Sequence, residues 1–169
     1  ADSLAYAGGE GFQAVDIPYG NGAFSMTLLV PRPEVGPDEV LNSLDAQRWN
    51  ALTADFRAQK VTLEMPRFEV TYERTLNDDL MALGMTDAFD DGRADLSGLV
   101  TDSVGLFIQE VKQKAFVRVD EEGTEAAAAT SVGIGLVSAP PRVRADRPFL
   151  FAIRERLTGT ILFLGKVVD

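Results

Sequence analysis

The chain has 169 residues, 46% of them hydrophobic, with 16 basic and 26 acidic side chains and a formal net charge of −10. That is enough apolar material for one sizeable core, and the acidic balance argues against nucleic acid or an anionic membrane as a partner, because both recruit basic surfaces. With no histidine and no cysteine, Ser-His-Asp and Cys-His catalysis, disulfides and most zinc sites are excluded together, so any enzyme built here would have to use carboxylates, lysine or tyrosine.

The N-terminal ADSLAYAGGEGF lacks the basic and apolar regions of a signal peptide, and no apolar run reaches the roughly 18 residues that span a bilayer. Val15, Ile17 and Tyr19 alternate with polar positions, as do Phe24, Met26, Leu28 and Val30. Gly20 to Gly22 between them predict a β-hairpin of two half-buried strands. Prolines then end the strand. Pro37 or Asp38 opens a helix with Leu41 and Leu44 on its apolar face, and Asp45 caps a second helix carrying Trp49, Leu52 and Phe56.

Val61, Leu63 and Met65, then Phe68, Val70 and Tyr72, are two alternating runs around Pro66, which predicts a bent or edge strand. Thr75 with Asp78 resembles a capping box for a short helix through Leu76, Leu80 and Leu83, closed by Gly84. After the loop MTDAFDDGRADLSGLV, a strand is expected from Leu106 to Val119, with Val111, Ala115, Val117 and Val119 on one face. The C-terminal FLFAIRERLTGTILFLGKVV reads as two continuously apolar strands around a Thr158-Gly159 turn, both expected to be buried on both faces. The class is α+β, strand-dominated, with no internal repeat.

Most local motifs favour plain structure. Asp78-Asp79 and Asp90-Asp91 have the chemistry of a general acid and base, but adjacent carboxylates fit a solvated face better. DAFDDGRAD lacks the alternating oxygen ligands and closing glutamate of a calcium loop. GGEG and GIG do not complete a phosphate-binding G-x-G-x-x-G.

One segment is different. Thr124 is able to cap a helix through Glu125 and Ala126 to Ala129, but the stretch between Gly123 and Gly133 is too short and has no apolar stripe to pack. Small side chains instead meet little resistance when they slide between two strands. Thr130, Ser131, Val132 and Ile134 raise β-propensity, and Pro140-Pro141 forbid continuing a ladder. The physics describes a segment able to add to a sheet but held outside it.

EEGTEAAAAT at Glu121 to Thr130, VRADRPFLFAI at Val143 to Ile153, KAFVRVD before the first, ADLSGL at Ala94 to Leu99 and TGTILFLGKVVD at the end occur in an order that closely resembles the serpin family. The resemblance implies an α+β serpin-like fold of mixed β-sheets and short helices with an exposed or inserted reactive loop. Residues 1–169 would be the C-terminal half of a serpin domain, with hinge and loop at about 121–141. It implies a serine protease inhibitor, not an enzyme, that acts as a suicide substrate: the loop is cleaved to an acyl-enzyme and inserts as a new strand.

The implied hinge is Glu121, Glu122, Gly123, Thr124, Glu125, Ala126, Ala127, Ala128, Ala129 and Thr130. Gly123 is its pivot and Thr124 the first side chain to enter the sheet. Counting forward from Gly123 and back from Pro148-Phe149 places the scissile bond at Val137-Ser138, with a register shifted to Leu136 as the alternative. Val137 suits a shallow apolar pocket of elastase or subtilisin type and is wrong for a trypsin-like pocket.

No cofactor or metal is expected. The implied partners are a target serine protease and the N-terminal half of the same protein as a separate chain, with self-association through unpaired sheet edges; nucleic acid and membrane are not expected. The family suggests an extracellular or periplasmic location. Gln113 stands where the family often has histidine, which removes pH gating there. Two rivals are a non-inhibitory serpin, acting as a carrier or chaperone-like binding protein, and an inactive structural fragment. The small-residue hinge argues against the first.

Overall fold

Nine strands, three α-helices and two single-turn 3-10 helices follow one another along residues 2–99, 105–120 and 139–168, the part of the chain that the computed structural model describes. They divide into two compact units, one formed by Ala1–Phe68 with Val119–Asp169 and the other by Glu69–Arg118.

The first unit is built on β1 (Asp2–Gly9), β2 (Phe12–Tyr19), β3 (Phe24–Pro31), β4 (Arg57–Glu64), β7 (Arg142–Arg144), β8 (Phe149–Glu155) and β9 (Ile161–Val167), in the sheet order β7-β4-β1-β2-β3-β8-β9. The β4–β7 pair is parallel and the other pairs are antiparallel. The expected hairpin is β2–β3, with Phe12 opposite Pro31 and Tyr19 opposite Phe24. Its strands are buried over most of their length rather than half-buried, because β1 and β8 flank the hairpin on both edges and helices cover one of its faces.

Sequence periodicity does not find β1. Ala5, Ala7, Gly8 and Gly9 are poor strand formers, and the strand exists because β2 and β4 complete its ladders on both sides.

Helices α1 (Pro37–Ser43) and α2 (Ala46–Asp55) cover one face of the sheet. Asp45 caps α2 as expected, accepting a 2.8 Å hydrogen bond from the Arg48 amide. Leu52 is buried, and Leu44, Trp49 and Phe56 pack against the same cluster of Ala7, Phe12, Ala14, Leu29, Val40 and Leu150. The inward residue of α1 is Val40; Leu41, expected on the apolar face, is exposed. Val40 and the C-cap residue Leu44, four apart, share the inward side, which turns Leu41 about 100° away from it.

The opposite side chains of β8 meet Phe68, whose ring packs edge-on to Phe149 at 5.6 Å and tilted against Phe151 at 5.4 Å. Phe151 also fixes a glycine on β9, since a Cβ at Gly165 would lie 2.4 Å from its ring.

Between β2, β3 and β8 lies a buried polar group. Asp16 accepts hydrogen bonds from Ser25 Oγ at 2.9 Å and Thr27 Oγ1 at 2.6 Å, and pairs with Arg154 Nη2 at 3.2 Å. All four residues are buried. Such a pair is tolerated in a core only when hydrogen bonds satisfy it.

The second unit contains most of β5 (Phe68–Thr75), then α3 (Asn77–Ala82), the 3-10 turns Asp87–Phe89 and Ser97–Leu99, and β6 (Lys112–Val119). The runs on either side of Pro66, expected as a bent or edge strand, are two strands of different sheets, β4 interior and β5 at an edge of its two-stranded sheet, because the chain leaves the β ladder at Met65 to Arg67. The helix ends as expected, with Gly84 at φ +100°. Thr75 does not cap it: its hydroxyl donates to Glu110 at 3.2 Å, and Leu76 is the N-cap residue, without a side-chain cap.

The strand expected from Leu106 begins at Lys112. Asn77 donates to the Gln109 carbonyl and accepts from the Val111 amide, both at 2.8 Å, and Leu76 donates to the Val111 carbonyl. The start of α3 therefore uses the backbone groups that a longer ladder would need. Within DAFDDGRAD, Arg93 pairs with Asp87 at 2.9 Å and Asp90 at 3.1 Å; the hydrogen bond from the Gly92 amide, followed by that from Arg93, holds the Asp90 carboxyl below the usual range. Asp79 of the other acidic pair is bound by Arg74.

Candidate functional site

Glu121 to Thr130 and Val137-Ser138, which carry the candidate chemistry, lie outside the described residues. The two strands to which this segment is attached lie within them.

The upstream attachment is β6. Ala115, Val117 and Val119 are its half-buried positions, alternating with exposed Lys114, Phe116 and Arg118, the period of two expected from the sequence. Lys114 pairs with Glu73 of β5 at 2.9 Å, and Lys112 lies between Glu73 and Glu110 at 3.6 and 3.4 Å. These are exposed ion pairs of small energetic weight. In its two-stranded sheet β6 has β5 on one side. Among the described residues its other backbone edge has no ladder partner, an arrangement that accepts an added strand. Gln113 lies on this strand and is exposed.

The downstream attachment is held more firmly. After Pro140-Pro141 the chain enters β7, pairing Arg142, Val143 and Arg144 with Thr62, Leu63 and Glu64. Ladder-like bonds extend past both ends, from the Thr62 amide to the Pro141 carbonyl at 2.9 Å and from the Ala145 amide to the Glu64 carbonyl at 2.8 Å. Val143 and Ala145 are buried. On the outer side Glu64 accepts from both Arg142 and Arg144, the latter at 2.9 Å through Nε. Asp146 is bound by Arg147 and faces Arg144, and these guanidinium groups hold its carboxyl below the usual range.

The sequence reading missed the Glu64 clamp. Its signal is the pair Arg142 and Arg144, two apart and so on one face of any strand. Its partner, however, is 78 residues away and reached through a parallel pairing.

In sequence, a segment rich in small residues joins β6, which is paired on one side only among the described residues, to the clamped β7 that precedes the buried β8. Residues 2–169 match the family model described as serpin (serine protease inhibitor). The chain belongs to the serpin family. Among its relatives are a serine protease inhibitor of Cyanea capillata, 40% identical over 158 residues covering 92% of this chain and 41% of that protein, and human Serpin B3, 41% identical over 97% of this chain and 43% of that protein. Intracellular coagulation inhibitor 1 of Tachypleus tridentatus is 34% identical over 95% of the chain.

The solved structures of the thermophilic serpin tengpin in its native state, at 33% identity and a TM-score of 0.77, and of native protease nexin-1 with heparin, at 27% and 0.82, are similar along the whole chain. This serpin chain spans 45% and 46% of those two structures, in keeping with a C-terminal half. The mixed sheets and few short helices expected of the fold are those found.

Proposed function

We propose that this chain is the bait-bearing half of a suicide-substrate inhibitor of a serine protease. The observation that carries the reading is the join between β6, whose outer edge has no ladder partner among the described residues, and the glycine and alanine hinge that starts two residues beyond it. A strand that turns back there at Gly123 extends the β5–β6 sheet by backbone pairing.

In this reading the protease serine attacks the carbonyl carbon of Val137, or of Leu136 in the shifted register. The peptide bond breaks, the new amine leaves on Ser138, and the protease is left esterified to the hinge side. Insertion from Thr124 onward then carries the protease along before water completes hydrolysis. About ten new backbone hydrogen bonds at about 1 kcal/mol each match the stability of an ordinary domain, which is enough to distort the attached protease. The target has a shallow apolar primary pocket, of elastase or subtilisin type, and is met outside the cytoplasm. The N-terminal half, or a second copy, supplies the remaining sheet.

The test is to incubate the full-length protein with elastase-like, subtilisin-like and trypsin-like proteases. A detergent-stable covalent complex with the first or second, and its loss on Thr124→Arg, is expected. Cleavage at residues 136–138 without a complex would sink the proposal.

A further inference from the structure

We propose that the cleft between the β1–β2 turn and helices α1 and α2 binds a small organic cation with an apolar body, an arylalkylamine in chemical class. Independently of the inhibitor reading, the GGEG motif that fails as a phosphate cradle shapes this cleft. That motif is the β1–β2 turn, and its glycines serve packing. A Cβ on Gly9 would lie 2.2 Å from the Phe12 ring, and one on Gly11, at φ +82°, would lie 3.2 Å from Val35. The turn therefore sits directly on an apolar floor and forms one wall of the cleft.

The cleft has a volume of about 520 Å³, within the range of small-molecule sites. Buried Phe12, Val40 and Leu52 line it from below. Its rim is a different surface. Glu10 from the turn, Glu39 from α1 and Asp55 from α2 reach it from three elements, are exposed, and have no ion-pair partner among the described residues. The basic residue of the lining, Arg48, is engaged by the Ser43 carbonyl at 2.7 Å.

Three carboxylates against one guanidinium repel a phosphate or carboxylate ligand. They attract a cation from several sides while the floor takes its apolar body.

Titration of the 169-residue chain with 4-phenylbutylamine at low salt should give a saturable binding signal in isothermal titration calorimetry. The matched anion 4-phenylbutyrate should bind at least about tenfold more weakly, and the amine's affinity should fall about tenfold in the exposed triple variant Glu10→Gln, Glu39→Gln, Asp55→Asn. Ala51→Phe, which fills the cleft from an exposed lining position on α2, should abolish amine binding with circular dichroism unchanged. No saturable amine signal, equal binding of the anion, or an unchanged affinity in the triple variant would each overturn the proposal.

Discussion

Strands β8 and β9 are adjacent in sequence, of equal length and similarly apolar, FLFAIRE against ILFLGKV, yet they occupy opposite environments. Phe149, Leu150, Phe151 and Ala152 are buried, while Leu162 and Leu164 are about half exposed, at 50% and 54%. β8 lies between β3 and β9, and β9 ends the sheet. The expectation that both strands are buried on both faces holds for β8 and fails for β9 among the described residues. Apolar composition records that a strand needs cover; its place in the sheet decides which neighbours provide it.

The ion pairs divide in the same way. Arg154 of β8 reaches Asp16 inside the sheet, whereas Lys166 of β9 meets Asp38 of α1 in the open at 2.6 Å.

The contrast can be broken most directly at matched phenylalanines. Phe149→Ala is expected to cost about 3 to 5 kcal/mol in denaturant unfolding, by lost transfer energy and a cavity beside Phe68, while Phe163→Ala should cost under about 1 kcal/mol. Equal losses would mean that the exposure of β9 is not its state in solution. The ion pairs sharpen the comparison next. Asp16→Ala leaves Arg154 buried and uncompensated and should cost about 3 kcal/mol or more; Asp38→Ala, tested in the same way, should cost under about 1 kcal/mol.

The smallest effect is expected at the turn that separates the strands. The Glu155 carboxylate accepts from the Thr158 hydroxyl at 2.6 Å and from the Leu157 and Thr158 amides at 2.6 and 2.7 Å, and these bonds, the hydroxyl foremost, lower its pKa from the ordinary 4.5. A lowered folded-state pKa stabilises above the unfolded value, and that contribution is lost as pH falls through the folded one. Glu155→Gln should therefore be slightly less stable than the parent at neutral pH. The gap in unfolding midpoints should close as the pH drops below 4.5.

Legibility followed the range of the interaction. The Gly20–Gly22 hairpin, the Asp45 cap and the glycine end of α3 depend on residues a few positions apart, and all were readable. So was the family, because the hinge and the signature around Pro148-Phe149 are local strings. The clamp on the downstream anchor was not readable, since Glu64 meets Arg142 and Arg144 only through parallel pairing of β4 and β7. Nor was β1, whose alanines and glycines carry almost no strand signal and which is held by its two neighbours.

The sequence by itself determined the run of small residues and the resemblance to the serpin family, because both rest on side-chain size and order along short stretches; the hinge and the bait at Val137-Ser138 are predictions that the resemblance implies. Only the tertiary structure decided that β8 is interior and β9 an edge, that Val40 rather than Leu41 faces the core, and that Asp16 and Arg154 meet within the sheet. Burial and pairing are properties of the neighbours a residue acquires, and hydropathy carries no address for them.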